Sequence, residues 1–165
     1  MPKIIENLRQ RLMEEARRQA EELGYSAMTI RSVAKGCDVG VGTVYNYYPS
    51  KDELIAAFIQ YDWVESMEPL KGTYASLEEV LRAAYDGLSL FVKRNERIFR
   101  DEAAKLVFSG NGGRYHSMVR SALSAAVRPH CRDEFTAQFL AEALVTWVVE
   151  GVDFDTLCPV LLRLQ

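Results

Sequence analysis

Thr29-Ile30-Arg31-Ser32-Val33-Ala34-Lys35-Gly36-Cys37-Asp38-Val39-Gly40-Val41-Gly42-Thr43-Val44-Tyr45-Asn46-Tyr47-Tyr48-Pro49-Ser50-Lys51 decides how the chain folds. Thr29 is a good helix cap, and Ile30, Val33 and Ala34 recur at the spacing of one helical face, so a short helix runs from there to Gly36. Cys37-Asp38-Val39-Gly40 is too short for anything but a tight turn, in which Asp38 tolerates the left-handed conformation. A second short helix follows from Val41 to Tyr48, and Pro49 stops it because proline cannot continue a helical hydrogen-bond ladder. Ala34 is small enough for two helices to cross closely, while Val39 and Val44 fill the wedge between them. Gly42 lies inside the second helix, where it costs about 0.5–1 kcal/mol relative to alanine, so something must compensate for it.

Working outward, Ile5, Leu8, Leu12, Ala16, Ala20 and Leu23 form one stripe of a first helix that Gly24 ends. On the other side, Ser50-Lys51-Asp52-Glu53 is a capping box that opens a fourth helix, with Leu54, Phe58 and Tyr61 on one face, running to about Met67. Glu68 to Gly72 is expected to be a loop. Ser76-Leu77-Glu78-Glu79 is a second capping box, and Leu77, Leu81, Ala84, Leu88 and Phe91 continue the helix it opens. A sixth helix is expected over Arg97–Phe108, a break at Ser109-Gly110-Asn111-Gly112-Gly113, and a seventh helix ending at Pro129. Asp133 caps an eighth helix that Gly151 closes, and a short last one spans Phe154 to Leu164. No strand-period segment or internal repeat interrupts this pattern. The expected fold is all-α: a three-helix helix-turn-helix head over residues 1–50 and a helical effector-binding and dimerisation domain over residues 51–165, about nine helices in all.

The composition fits one ordinary helical body with a small head: 165 residues, 48% hydrophobic, with only 10 Gly and 5 Pro. The longest apolar run, Ala143 to Val149, falls far short of the roughly 18 residues a membrane span needs. No apolar block behind a basic N-terminus marks the chain for export, so no membrane partner and a cytoplasmic location are expected. Cys37, Cys131 and Cys158 are odd in number and far apart, which suits a reducing compartment. With His116 and His130 they show no Cys-x-x-Cys or His-x-x-x-His spacing, so neither a metal nor a cofactor is expected. The glycine-rich stretch lacks the Lys-Ser/Thr ending and preceding strand of a phosphate loop, and no nucleophile motif supports catalysis. The net charge of −3 does not announce a nucleic-acid partner. It is unevenly spread, however: in residues 1–60 eight basic side chains (Lys3, Arg9, Arg11, Arg17, Arg18, Arg31, Lys35 and Lys51) balance eight acidic ones.

Two short helices joined by a tight turn are the geometry that lets one helix enter a DNA major groove, and approach to a sugar–phosphate backbone would justify Gly42. The run Gly42 to Lys51, preceded by Gly24-Tyr25 and Thr29 to Ala34, resembles the DNA-binding head of the TetR family of transcriptional regulators, over roughly residues 7–60. The resemblance implies a homodimeric repressor that leaves a double-stranded DNA operator when a small molecule binds the C-terminal domain. It implies that Thr29 and Lys51 grip phosphates at helix starts, and that Gly42, Thr43, Tyr45, Asn46 and Tyr47 belong to the recognition helix, with Arg31 beside them. Asparagine can pair with adenine through two bonds, and a threonine methyl can touch thymine. Tyr48 is assigned to the core. The chain departs from the family pattern at Gly40 and Val41, where Ser and Lys are frequent, at Asp38, where Gly is usual, and at Ala20, where an aromatic is common.

Beyond the head, Phe58, Tyr61, Phe91, Phe99, Phe108, Tyr115, Met118 and Trp147 are enough to line an effector cavity, although each also suits plain core packing. Leu140, Leu144, Trp147, Val148, Leu161 and Leu162 make the last two helices apolar over more of their circumference than one core contact needs. They are expected to form a two-fold interface, unless that surface is buried within one subunit.

Overall fold

The computed structural model describes residues 7–164, and the side chains of these except for 105–116. Among the described residues the chain is all-α, with eight α-helices and three single-turn 3-10 helices. It divides into two compact units, Met1–Asp62 with Arg94–Phe108 and Trp63–Lys93 with Ser109–Gln165.

The first unit is built on α1 (Leu8–Leu23), α2 (Ile30–Gly36), α3 (Val41–Tyr47) and most of α4 (Lys51–Ser66). Leu8, Leu12, Ala16 and Ala20 are buried along one face of α1, four residues apart as suits the helical period. Gly24 ends α1 with φ +85°, a conformation that glycine reaches without a Cβ penalty, and returns its N–H to the Ala20 carbonyl at 3.0 Å. Met28, Val33, Val44, Leu54, Ile55 and Phe58 complete this core, each at most 1% exposed. Burying a side chain such as Phe58 stabilises the fold by about 1.5–3 kcal/mol. Asp62 is also fully buried; Arg17 lies 3.1 Å from its carboxylate, Arg94 4.0 Å, and Asn95 donates to it at 3.3 Å. Burial pushes the Asp62 carboxyl up, against the pull of the two guanidinium groups.

The second unit holds the last turn of α4, the greater part of α5 (Leu77–Arg100) and α6 (Glu102–Val127), then α7 (Glu134–Val149) and α8 (Phe154–Leu161). Leu77, Leu81, Ala84 and Leu88 of α5 meet Leu123 and Val127 of α6 and the buried face of α7. Gly87 permits a close approach here: a Cβ at that position would stand 2.6 Å from the Ser66 carbonyl. Asp133 and Asp153 cap α7 and α8 by accepting the N–H of Thr136 at 2.7 Å and of Thr156 at 2.9 Å.

Three expectations need correction. The segment Glu68–Lys71 is a 3-10 turn, with Pro69 in its first turn, and not an irregular loop. A single helix, α5, extends to Arg100 and takes in the beginning of the expected sixth helix. The expected break at residues 109–113 is absent, and α6 runs through it. Each glycine there costs a helix about 1 kcal/mol, but glycine neither removes a hydrogen bond nor clashes as proline does. The chain breaks instead at Asp101, whose carboxylate accepts the N–H of Ala103 at 3.0 Å and of Ala104 at 3.3 Å and so starts α6. Among the described residues no helix is long and apolar enough to cross a membrane.

Candidate nucleic-acid interface

The helix pair α2–α3 is assembled from local signals. The Thr29 hydroxyl accepts the Ser32 N–H at 3.0 Å, and the Ser32 hydroxyl accepts the Thr29 N–H at 3.0 Å, a reciprocal cap. Ser32 also donates to Gln19 Oε1 at 2.5 Å, which ties this cap to α1. Asp38 has φ +55°, the left-handed conformation expected of the turn, and the Val39 N–H closes the turn on the Ala34 carbonyl at 3.0 Å. Gly40 supplies no side-chain bond to the start of α3.

Within α3, Val44 is fully buried and the flanking Tyr48 donates its hydroxyl to the Arg9 carbonyl at 3.1 Å, so this face anchors the helix. The opposite face is open. Gly42 and Asn46, one helical turn apart, are exposed, Tyr45 beside them is 49% exposed, and Thr43 and Tyr47 are half-buried. A Cβ placed on Gly42 would meet nothing within 4 Å. The glycine is therefore not required by the packing of the chain itself.

Arg31 and Lys35 on α2 are exposed. Lys51 at the start of α4 donates to the Tyr25 carbonyl, and its ammonium lies 4.1 Å from the Tyr25 ring centroid. Loss of water around Lys51 pulls its pKa below the ordinary lysine value. The Tyr25 hydroxyl in turn donates to Asp52 at 2.6 Å. Burial, together with that carboxylate, pushes the phenol up to about 12. Among the described ion pairs, none involves Arg31, Lys35 or Lys51, whereas Arg17 and Arg18 are engaged by Glu21, Asp62, Glu15 and Glu22.

Residues 12–58 match the family model of the bacterial regulatory proteins, tetR family. Over these residues the chain is similar to the N-terminal segment of that family. An HTH-type transcriptional regulator of Staphylococcus aureus (strain bovine RF122 / ET3-1) is 31% identical over 97 residues, which cover 57% of this chain and 52% of that protein. The chain thus spans about half the length of the curated relatives it matches. Two solved structures share the fold along most of both chains. Salmonella enterica GusR is 15% identical with a TM-score of 0.63, covering 99% of this chain and 96% of its own. The multidrug binding protein EbrR, solved in complex with imidazole, is 21% identical with a TM-score of 0.62, covering 94% of this chain and 88% of its own.

The candidate effector residues are divided. Phe58 is in the core of the first unit, where Tyr61 and Phe99 are exposed. Phe91 is half-buried in the second unit, 5.4 Å edge-to-face from Trp63, and Met118 and Trp147 are exposed there. The side chains of Phe108 and Tyr115 lie outside those described. The second unit carries an open groove of about 1060 Å³ between α6 and α7, bordered by Ser124, Arg128, Phe135, Phe139 and Glu142; none of the candidate effector residues whose side chains are described borders it. Of the residues expected at a dimer interface, Leu140, Leu144, Val148 and Leu161 point into the core of their own unit, Leu162 is half-buried and Trp147 is 47% exposed. Besides Trp147, α7 leaves open Phe135 at 74%, Phe139 at 50% and Val149 at 60%.

Sequence reasoning missed the partners that hold the end of α1 and the loop after it. Arg97 donates to the carbonyls of Glu21, at 2.8 Å, and Glu22, and Asp101 accepts from Ser26. The signal was faint: two acids at the C-terminal end of a helix with no basic residue in its last turn.

Proposed function

We propose that this protein is a transcriptional regulator that binds a palindromic DNA operator as a homodimer and acts as a repressor released by a small molecule, without catalytic activity. The observation that carries the reading is the open face of α3, where Gly42, Tyr45 and Asn46 stand clear of the fold while Val44 and Tyr48 fix the helix from behind. A helix held this way can enter a major groove, with Asn46 and Thr43 reading base edges and the Tyr45 and Tyr47 hydroxyls reaching phosphates. Thr29, Arg31 and Lys51 grip the backbone and set register without reading sequence. The curated relatives are named as transcriptional regulators, which supports the same reading.

In this reading residues 1–50 bind DNA and residues 51–165 serve effector binding and dimerisation, in the cytoplasm. A second copy covers the Phe135–Phe139–Val149 face of α7, which places two heads about 34–36 Å apart, or a multiple of this, for successive major grooves. The effector is a small molecule among the helices of the C-terminal domain, in keeping with a fold neighbour named as a multidrug binding protein. It acts by favouring a dimer whose heads are wrongly spaced; a hundredfold loss of DNA affinity needs about 2.7 kcal/mol of differential binding.

One observation favours a second reading, a helical interaction protein without DNA binding: residues 1–60 carry no net positive charge, and Gly40 and Val41 supply neither cap nor cation. A mobility-shift titration on DNA upstream of the protein's own coding sequence decides between them. Binding that disappears in an Asn46→Ala, Lys51→Ala double variant supports the regulator. Binding indifferent to both changes supports the rival.

A further inference from the structure

Residues 21–26, where α1 passes into the loop before α2, are poorly provided for by their own neighbours. Glu21 and Glu22 stand at the helix end where the dipole disfavours acids, and the last turn of α1 has no basic residue. The missing groups come from about 75 residues further along the chain, within the same unit. Arg97 Nη1 donates to the Glu21 carbonyl at 2.8 Å and to that of Glu22, satisfying carbonyls that a helix end leaves without partners. The Asp101 carboxylate accepts the Ser26 N–H at 3.3 Å and its hydroxyl at 3.3 Å, while it also caps α6 through Ala103 and Ala104. One carboxylate thus belongs to two structures at once. Burial pushes it up, but the donors from Ala104, Ser26 and Ala103 outweigh this and hold it below the usual carboxylate range.

The residue next to Ser26 carries the connection onward. Tyr25 accepts the Lys51 ammonium on its carbonyl and places its ring beneath it, and its hydroxyl reaches Asp52. The Tyr25–Ser26 pair is therefore strapped between the α5–α6 junction on one side and the start of α4 on the other. Resting on the DNA-binding reading above, we propose that Arg97 and Asp101 are positioning residues for DNA binding: they hold the 21–26 segment so that Lys51 is aimed at a phosphate, and displacing the α5–α6 junction loosens that grip.

The test uses the full chain with Asp101→Ala, Asp101→Asn, Arg97→Ala and, as a control for simple loss of a helix cap, Asp133→Ala. Duplexes are first selected from a random library by the unaltered protein, and affinity is then measured against salt concentration. Asp101→Ala and Arg97→Ala are expected to weaken binding about tenfold and to reduce the salt slope by about two, one Lys51 contact in each head of the dimer, with the selected base preference unchanged. Hydrogen exchange at residues 24–28 should quicken about tenfold in the same variants. Asp101→Asn, which retains an acceptor oxygen, should recover most of both, and Asp133→Ala should lower stability while leaving the salt slope alone. If Asp101→Ala and Arg97→Ala bind with the original affinity and slope, or if Asp133→Ala reproduces their slope change, the positioning role is overturned and the DNA-binding reading stands. If the unaltered protein selects no duplex, both are overturned.

Discussion

Replacing Gly42 by alanine separates the stability of the head from its use. The residue lies inside α3 with nothing within 4 Å of the position a Cβ would take, and its φ is not in the left-handed region. The methyl group therefore meets no neighbour, and the change removes only the excess backbone freedom that glycine loses on folding. Gly42→Ala should stabilise the protein by about 0.5–1 kcal/mol. For a chain of this length that is a rise in Tm of about 1–4 °C, measurable by differential scanning calorimetry without DNA. On DNA the sign reverses: the methyl occupies the space left for a close approach to the backbone, and affinity should fall tenfold or more, at least about 1.4 kcal/mol. Gly42→Ala that binds selected duplexes as tightly as the parent would refute the role given to the open face of α3. A fall in Tm would refute the packing argument instead.

Other changes probe the rest of the chain. Gly87→Ala sets a Cβ 2.6 Å from the Ser66 carbonyl, and because backbone cannot step aside as a side-chain tip can, it should cost about 1–3 kcal/mol in urea unfolding. Phe135→Glu with Phe139→Glu, on side chains 74% and 50% exposed, should leave the helical content intact and shift sedimentation equilibrium toward the protomer; an unchanged dimer would move the interface elsewhere. The Thr136 N–H and hydroxyl held by Asp133, and the Thr156 hydroxyl and N–H held by Asp153, keep both carboxyls below their ordinary values. Their contribution is therefore complete well above the ordinary aspartate pKa of about 3.9 and is lost as pH falls through the lower folded values, so Asp153→Asn should flatten the acid limb of the unfolding curve below about pH 4. Phosphate contacts from Arg31, Lys35 and Lys51 of each head should give a dimer a log–log salt slope of about −5, and a slope near zero would sink the phosphate assignments.

The head was legible because each of its signals acts within a few residues. Thr29 caps its own helix, Gly24 and Pro49 stop theirs, and Asp38 takes the left-handed turn. The position of the break before α6 was not, since three glycines are a conspicuous local signal and Asp101-Glu102 an inconspicuous one, yet a capped start outweighs a modest loss of propensity. The faces of α7 were ambiguous for a different reason. Leu140, Leu144 and Val148 make one apolar stripe and Phe135, Phe139 and Val149 another, so the helix has little amphipathic contrast and its sequence does not say which stripe faces inward. The grip of Arg97 and Asp101 on residues 21–26 joins positions about 75 apart and leaves no periodic trace at all.

The balanced charge of residues 1–60 weighs less against DNA than the bare count suggests, because its carboxylates are unevenly placed. Glu15, Glu21 and Glu22 of α1 are spent on Arg17 and Arg18, and Glu14 accepts from Gln10 at 2.8 Å. Two further cations of α1 reach the helix pair, and three others lie on α2 and α4. Arg9 stacks 5.5 Å from the Tyr48 ring centroid and Arg11 donates to the Cys37 carbonyl at 3.2 Å, at the two ends of the α2–α3 arrangement, while Arg31 and Lys35 are exposed on α2 and Lys51 opens α4. Counter-carboxylates in these elements are Asp38, Asp52 and Glu53, of which Asp52 accepts the Tyr25 hydroxyl. Counted by element, α1 is balanced, with four arginines against four glutamates, and the α2–α3 pair carries Arg31 and Lys35 against Asp38, a surplus of one. Attraction to phosphates falls off over about 8–10 Å at physiological salt, so it is this local surplus, and not the overall charge of −3, that a duplex would meet.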